Sequence, residues 1–347
     1  MKLILPVAGK STRFAPVNRP KWLITHPNGN LMLTESIINL NYDFEEIIIV
    51  HKQEDEEKFN FKTGLQKNLS KYIDTSIVSF VSIDYQTKNQ IQTVVEGIKS
   101  CENDFGFLIK DSDNKFSIDN FEANDNVVFH SRLDMLDYTN PSNKSYINKD
   151  KFNYVTSIVE KKVISNFFCC GGYYFKSSKS FLKYFDEEYD NAYISDIIFK
   201  MMLDNMKFKT NEVLDYCDWG TIKDWKDYTE KFKTMFIDLD GTLFYNSSEY
   251  FPPYIEDAKP IIKNIDRIKE LVNEGSCEII ITTSRNEKYR KITELQLEKE
   301  GIKYKDLIMG LQHNKRYLIN DFSSTNSYPT AVSINLKRNS DNLNDLI

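Results

Sequence analysis

The sequence predicts an α/β protein of two domains, each a mainly parallel sheet between helices. Three observations carry this. The chain has 347 residues, and at roughly 150 residues per domain that length suggests two. Short apolar runs alternate with helix-like stretches, the rhythm of βαβ units. Near Thr234 the rhythm starts afresh.

In the first domain, residues 1–233, the apolar runs Leu3–Val7, Glu46–Val50, Ile77–Ile83, Phe107–Ile109 and Val127–Phe129 read as strands. Leu31–Leu40 and Gln90–Lys99 read as helices between them. The segment Asp134–Asn153 is rich in Asn, Ser, Asp and Lys, contains Pro141, and reads as a loop. A polar helical stretch, Ile222–Lys233, reads as the linker. The second domain, residues 234–347, opens on a strand ending at Asp238. Helix Ala258–Asn273, strand Glu278–Thr282 and helix Lys288–Glu300 follow, then strands near Leu307 and at Tyr317–Ile319.

Hydrophobic residues make up 41% and charged residues 28% of the chain, which excludes a largely disordered protein. A net charge of -6 argues against nucleic acid or an anionic membrane as partner. No apolar run approaches the roughly 20 residues a membrane helix needs, and the apolar opening is too short for a signal peptide. The five cysteines form no CxxC pair, so a reduced, cytoplasmic protein is expected. Cys169 and Cys170 read as buried small residues rather than a redox pair. A homo-oligomer is compatible with all of this.

The first informative stretch is LILPVAGKSTRF, Leu3–Phe14. A strand ends in a turn containing Gly9, then Ser11, Thr12 and Arg13. Backbone N–H groups of such a turn can cradle phosphate oxygens, and Arg13 can neutralise them. It is not a Walker A loop, because Ile4 stands where that motif needs its first glycine.

Taken with Pro20-Lys21-Trp22-Leu23-Ile24, this stretch resembles the signature of the sugar-phosphate nucleotidyltransferases. Further segments follow in that family's order. Gln86-Thr87-Lys88-Asn89-Gln90-Ile91-Gln92-Thr93 resembles its base-binding segment, with Asn89 in place of a glycine. Phe107–Asp113 resembles its strand ending in a metal-binding Asp, and Glu160-Lys161 its sugar-phosphate-contacting pair. Gly171–Phe175 resembles the following strand, and Asp218-Trp219-Gly220-Thr221 its second metal site. The resemblance spans roughly residues 1–230 and implies a Rossmann-like nucleotidyltransferase fold.

It also implies roles. Ala8, Gly9, Ser11 and Thr12 would line the nucleotide loop, and Arg13 and Lys21 would hold the triphosphate and the leaving pyrophosphate. Gln86 and Thr87 would hydrogen-bond the base. Asp111, Asp113 and Asp218 would ligate Mg²⁺, a hard cation suited to carboxylates. Lys161 would orient the acceptor phosphate, with Glu160 fixing it.

A second motif is the sharpest in the chain: Met235–Phe244, MFIDLDGTLF, an apolar strand delivering two carboxylates to its C-terminal tip. It resembles motif I of the haloacid dehalogenase superfamily. By that resemblance Asp238 is the nucleophile and Asp240 the general acid/base. Thr283, in Ile279–Arg285, would bond the transferring phosphoryl group. Lys315, or less favourably Arg316, would be the motif III cation, and Asp321 would complete a Mg²⁺ site with Asp238 and Asp240. Only about 40 residues separate the first two motifs, too few for a cap domain, so a capless, open site is expected.

The whole reads as a bifunctional enzyme. One site transfers a nucleotidyl group, CMP from CTP by preference with UTP and dTTP as alternatives, to a phosphorylated sugar or polyol. The other hydrolyses a related phosphate ester. Fusion suggests precursor synthesis for a surface or capsular polysaccharide. The rival readings are a silent second module, and a phosphatase regulated by a nucleotide-binding first domain.

Overall fold

The structure, a computed structural model, describes residues 1–347 apart from 15, 16, 18, 119, 120, 137–140, 189 and 322–330. The chain divides into two compact units, Met1–Asp227 and Tyr228–Ile347.

The first unit begins with β1 (Lys2–Pro6), α1 (Met32–Ile38), β2 (Glu46–Lys52), α2 (Gln53–Phe59), α3 (Phe61–Leu69), β3 (Val78–Ile83), α4 (Gln90–Lys99) and β4 (Phe107–Lys110). It continues through β5 (Asn114–Ser117), β6 (Asn126–Arg132), β7 (Ser145–Lys149), β8 (Val155–Glu160) and β9 (Phe167–Phe175). Helices α5 (Ser178–Leu182) and α6 (Ile194–Leu203), strands β10 (Phe208–Glu212) and β11 (Leu214–Asp218), and helix α7 (Ile222–Thr229) complete the run.

The main sheet runs in the order β10-β6-β9-β4-β1-β2-β3, with the hairpin β7-β8 joined to it through β9. Strands β4, β1, β2 and β3 are mutually parallel, while β9 runs antiparallel to β4 and β6. The central strands are apolar on both faces because both are covered. Leu3, Leu5, Ile47 and Ile49 pack with Leu33 and Ile37 of α1. Ile4, Ile48 and Val50 pack with Ile91, Val94, Val95 and Ile98 of α4. Gly97 lets α4 lie close on the sheet, since a Cβ there would stand 2.9 Å from Val50 Cγ2 and 3.1 Å from Ile4 Cγ2.

The segment expected to be a loop, 134–153, contains strand β7. Its polar residues Ser145, Asn148 and Lys149 flank the adjacent apolar pair Tyr146 and Ile147, both fully buried. Hairpin pairing with β8 outweighs the composition. Residues 137–140 of that segment lie outside the described residues. The polar stretch Ile222–Lys233 is helical only over α7.

In the second unit, β12 (Lys233–Asp238), α8 (Ile262–Asn273), β13 (Cys277–Thr282), α9 (Arg290–Lys299) and β14 (Asp306–Ile308) follow one another. The three strands form one parallel sheet in the order β12-β13-β14. Ile237, Ile279, Ile281 and Leu307 pack against Ile265, Ile268 and Leu271 of α8 and Leu297 of α9. The strand expected at Tyr317–Ile319 does not form among the described residues. Tyr317 is 82% and Ile319 89% exposed, and so short an apolar run between charged flanks buries nothing to fix it in a sheet. No helix among the described residues is long and apolar enough to cross a membrane.

Candidate active site

Strand register gathers the acidic residues of the first unit. Chain leaving β4 turns at Asp111–Asp113 and re-enters pairing at Asn114, which opens β5. Strand β11 runs antiparallel to β5, with Asp218 opposite Asn114. The Asp113 carbonyl accepts from Trp219 N–H at 2.8 Å. Two loops distant in sequence thus present Asp111, Asp113 and Asp218 to one cleft of about 420 Å³.

The same cleft is lined by Arg13, Gln90, Lys144, Glu160, Lys161, Tyr193 and Ser195. A Cβ added at Gly220 would stand 3.0 Å from Asp218 Oδ1, 3.3 Å from Asp113 Oδ2 and 3.6 Å from Arg13 Nη1. Those three groups therefore face one small volume. Gly171, in the left-handed region at φ 73°, is required where β9 passes Asp111: a Cβ there would lie 2.1 Å from Asp111 Oδ2.

The carboxylates differ in their partners. Asp113 Oδ2 is paired with Lys21 Nζ. Burial works against the Asp113 charge, but the Lys21 ammonium outweighs it and holds the carboxyl well below the usual carboxylate range. Asp218 Oδ2 is paired with Lys144 Nζ, which also donates to Tyr216 Oη at 2.6 Å. Among the described residues Asp111 Oδ1 accepts from the Gln90 amide alone, at 2.5 Å. Burial and the neighbouring Asp113 charge push Asp111 up to about 6.

Beneath the turn lies Lys110, fully buried. Its Nζ donates to Ser36 Oγ at 3.0 Å, to the Asp111 and Asn114 carbonyls at 2.7 and 2.9 Å, and to the Asn114 side chain. Burial pushes it down to about 7. It ties the carboxylate-bearing turn to α1.

At the other wall the ends of β7 and β8 meet. Ser145 lies opposite Glu160, and Lys161 N–H donates to the Lys144 carbonyl at 3.0 Å. Glu160 Oε2 accepts from Ser145 Oγ and, at 2.8 Å, from Ser195 Oγ of α6. Lys161 stands at φ 53° and its Nζ bonds Tyr193 Oη.

The first loop is pinned by Trp22, whose indole donates to the Val7 carbonyl at 3.1 Å. Ala8 is buried and its carbonyl accepts from Gln86 Nε2 at 3.3 Å. Ser11 sits at φ 49° and accepts weakly from Lys21 N–H through its hydroxyl, 3.4 Å. Gly9, Thr12 and Arg13 are exposed. Thr87, expected at the base, is buried and its hydroxyl is shared with Thr93 Oγ1 at 2.8 Å, so it braces α4. Lys21, expected on the triphosphate, pairs with Asp113.

Among the described residues no three acidic, His or Cys side chains converge as a cage. Mg²⁺ needs none: it is held by one or two carboxylates together with substrate phosphates and water. The hard-oxygen donors, and an Asp111 without a cation bonded to it, fit that ion. Gln90 and Lys144 escaped notice in the sequence. Gln90 stood inside a quoted motif without a role, and Lys144 lay in the apparent loop, where no pattern marked it.

In the second unit the register Asp238↔Thr282 sets two strand tips side by side. Thr283 Oγ1 donates to Asp240 Oδ2 at 3.1 Å. Asp240 is gripped by Arg285, itself 5% exposed, through Nε at 2.9 Å and Nη2 at 2.7 Å. Arg285 is in turn held by Thr293 and Gln296 of α9. Both Asp240 oxygens are thus engaged, and Thr283 bonds Asp240 where a phosphoryl partner was expected.

Arg316, not Lys315, meets the expected nucleophile: its Nη1 is 2.7 Å from Asp238 Oδ1. Burial nevertheless leaves the Asp238 carboxyl raised. Lys315 and Asp321 lie on the exposed stretch 312–321, Asp321 without a strand beneath it. Arg338 was missed. It lies against Gly241, whose Cβ would stand 2.9 Å from Arg338 Cγ, and its charge reaches Asp238. All five cysteines are free thiols, with Cys169 and Cys170 buried in β9.

The nucleotidyl transferase family model matches residues 2–235. The chain belongs to the nucleotidyl transferase family. The match covers the first unit and ends within β12. Among solved structures, the chain resembles a nucleoside-diphosphate-sugar pyrophosphorylase from Vibrio cholerae RC9, at 14% identity and a TM-score of 0.55, over 65% of this chain and 98% of that one. It also resembles the inositol-1-phosphate CTP transferase from T. maritima, at 16% identity and a TM-score of 0.51, over 64% and 90%. A UDP-glucose pyrophosphorylase complexed with UDP-glucose shows 15% identity and a TM-score of 0.52, over 66% and 98%. These likenesses establish a shared fold for the first unit. No curated protein matches by sequence.

Two outcomes follow from Asp111. An acid whose folded pKa is raised contributes stability below its unfolded pKa that is lost as pH rises through the folded value. Without divalent cation, the melting temperature should fall between about pH 4 and 6.5 more for the wild type than for Asp111→Asn; equal slopes would contradict the assignment. Gly171→Ala should displace the Asp111 carboxylate and cut nucleotidyl transfer by about 100-fold or more, read as pyrophosphate release beside a circular dichroism check of the fold.

Proposed function

We propose that the first unit transfers a nucleotidyl group from a nucleoside triphosphate to a phosphorylated sugar or polyol, with release of pyrophosphate. The observation that carries this reading is the single cleft holding Arg13, Asp111, Asp218 and Lys161. An oxygen of the acceptor phosphate attacks the α-phosphorus, and the bond from that phosphorus to the bridging oxygen breaks. Pyrophosphate leaves with the electron pair.

The protein's work is alignment and charge neutralisation. Arg13 draws the triphosphate to the first loop, and Lys161, held by Tyr193, orients the acceptor, with Glu160 beside it braced by Ser145 and Ser195. Asp111 and Asp218 would hold Mg²⁺, with Asp113 beside them. When bound, that ion supplies charge neutralisation of the phosphates. CTP is the preferred donor in this reading, UTP and dTTP the alternatives. The structurally similar proteins include an inositol-1-phosphate CTP transferase and a UDP-glucose pyrophosphorylase, so both bases belong in the assay. A surface-polysaccharide precursor is the product class implied.

For the second unit, residues 234–347, we propose phosphate ester hydrolysis on a capless haloacid-dehalogenase-like site. The support is the pair Asp238 and Asp240 at the tip of β12 with Thr283 beside them. An Asp238 oxygen attacks phosphorus, the ester P–O bond breaks, and Asp240 protonates the departing oxygen. Water, losing its proton to Asp240, then cleaves the aspartyl phosphate. Arg316 is the cation at Asp238. Mg²⁺ there would rely on Asp238, with Asp321 the weaker candidate because of its exposed setting.

Pyrophosphate release should appear with Mg²⁺, one of CTP, UTP or dTTP, and one pool of sugar or polyol phosphates. Arg13→Ala and Lys161→Ala should each lower kcat/KM by about 10²-fold; silence with every pair would refute the reading. Asp238→Asn should abolish phosphate release from a phosphomonoester while leaving nucleotidyl transfer intact. Unchanged phosphate release in that variant would remove the second site.

A further inference from the structure

We propose that Lys144 is a second cation for the acceptor's phosphate group, parked on Asp218 until a divalent cation takes that carboxylate. The inference rests on the reading of Asp218 as a metal ligand.

Lys144 and Lys161 stand at one end of the β7-β8 hairpin. The register sets their neighbours Ser145 and Glu160 opposite each other, and Lys161 N–H donates to the Lys144 carbonyl at 3.0 Å. Both side chains line the cleft that holds Asp111, Asp113 and Asp218. Lys161 is the residue already read as the acceptor's anchor. A phosphate bound at Lys161 would therefore meet Lys144 next.

In the structure Lys144 Nζ is ion-paired with Asp218 Oδ2, the two side chains being 13% and 16% exposed. Among the described residues its other polar partner is the Tyr216 hydroxyl. Asp218 is thus the ion-pair partner of Lys144. An ammonium in so dry a place is costly without a counter-charge. A divalent cation on Asp218 removes that counter-charge, and a phosphate dianion at Lys161 restores one. The lysine and the metal compete for the carboxylate, whereas the lysine and the acceptor co-operate.

This gives effects of opposite sign. All three tryptophans, Trp22, Trp219 and Trp225, lie in the first unit, and Trp219 adjoins Asp218, so tryptophan fluorescence of the intact chain reports on this cleft. Mn²⁺ and inorganic phosphate serve as probes. Lys144→Met should bind Mn²⁺ several-fold more tightly than wild type, because the competitor is gone. The Mn²⁺-loaded variant should bind phosphate about tenfold more weakly, the loss of one charge-assisted hydrogen bond. Lys144→Arg should keep phosphate binding within about threefold of wild type.

A lysine with a merely structural role would weaken both ligands together or move neither, and either result overturns the inference. So does an Mn²⁺-loaded wild type that binds no phosphate. Asp218→Asn separates the premise from the inference. Wild-type Mn²⁺ affinity in Asp218→Asn removes Asp218 as ligand. Weakened Mn²⁺ binding there, with Lys144→Met unchanged, removes Lys144 alone.

Discussion

Holding carboxylates together in a partly buried cleft is the constraint on which the first unit depends. Two like charges repel by roughly 4 kcal/mol at 4 Å near a protein surface. The fold meets this cost with backbone first. The antiparallel pairing of β5 and β11 sets Asn114 opposite Asp218, so the positions are fixed by ladder hydrogen bonds rather than by the side chains themselves. Buried Lys110 then binds the turn from below through carbonyl oxygens. Lys21 and Lys144 neutralise from above. Of the three, Asp111 has no cation bonded to it among the described residues, and burial with the neighbouring Asp113 charge raises its carboxyl.

The second unit solves a similar problem with a different cation. Asp240 is held by a guanidinium whose planar fork matches a carboxylate, and Arg285 is itself braced by α9. That pairing leaves little freedom to Asp240. Asp238 is met from the exposed side by Arg316. The unit's C-terminal stretch also contributes: Asn339 N–H donates to the Gly241 carbonyl at 2.8 Å, and Asn264 of α8 bonds both the Thr242 and Ser340 carbonyls. Residues far apart in sequence thus buttress the turn that carries the acids.

The parts legible in the sequence were those with a local pattern. Strands β1, β2 and β4 are apolar runs buried on both faces, β12 is a shorter run buried at Ile237, and the turns after β1, β4 and β12 carry the motifs. What escaped was set by pairing at a distance. Strand β7 is half polar, and only the neighbouring β8 and β9 make it a strand. The role of Lys144 exists only because that hairpin ends beside Asp218. Thr87 looked like a base contact because its segment matched a pattern, yet its hydroxyl bonds Thr93 of α4, the helix that follows it. The choice between Lys315 and Arg316 could not be read from adjacent cations in a stretch without periodicity.

The pairing of acids with lysines bears on what a site of this class must be before its substrates arrive. Its ligands are a polyanion and a divalent cation, so the empty protein has to carry both complementary charges at once. Left apart, each would be an unpaired charge in a low-dielectric cleft; left in bulk water, neither would be positioned. Pairing them with each other satisfies both while keeping each within reach of its later partner. The exchange then trades one internal ion pair, Lys144–Asp218, for a metal–carboxylate contact and a lysine–phosphate contact. The net gain comes from differential interaction, since the protein's own charges are already compensated. Such a site favours metal and phosphate arriving together over either alone, which is the order a nucleotidyl transfer requires.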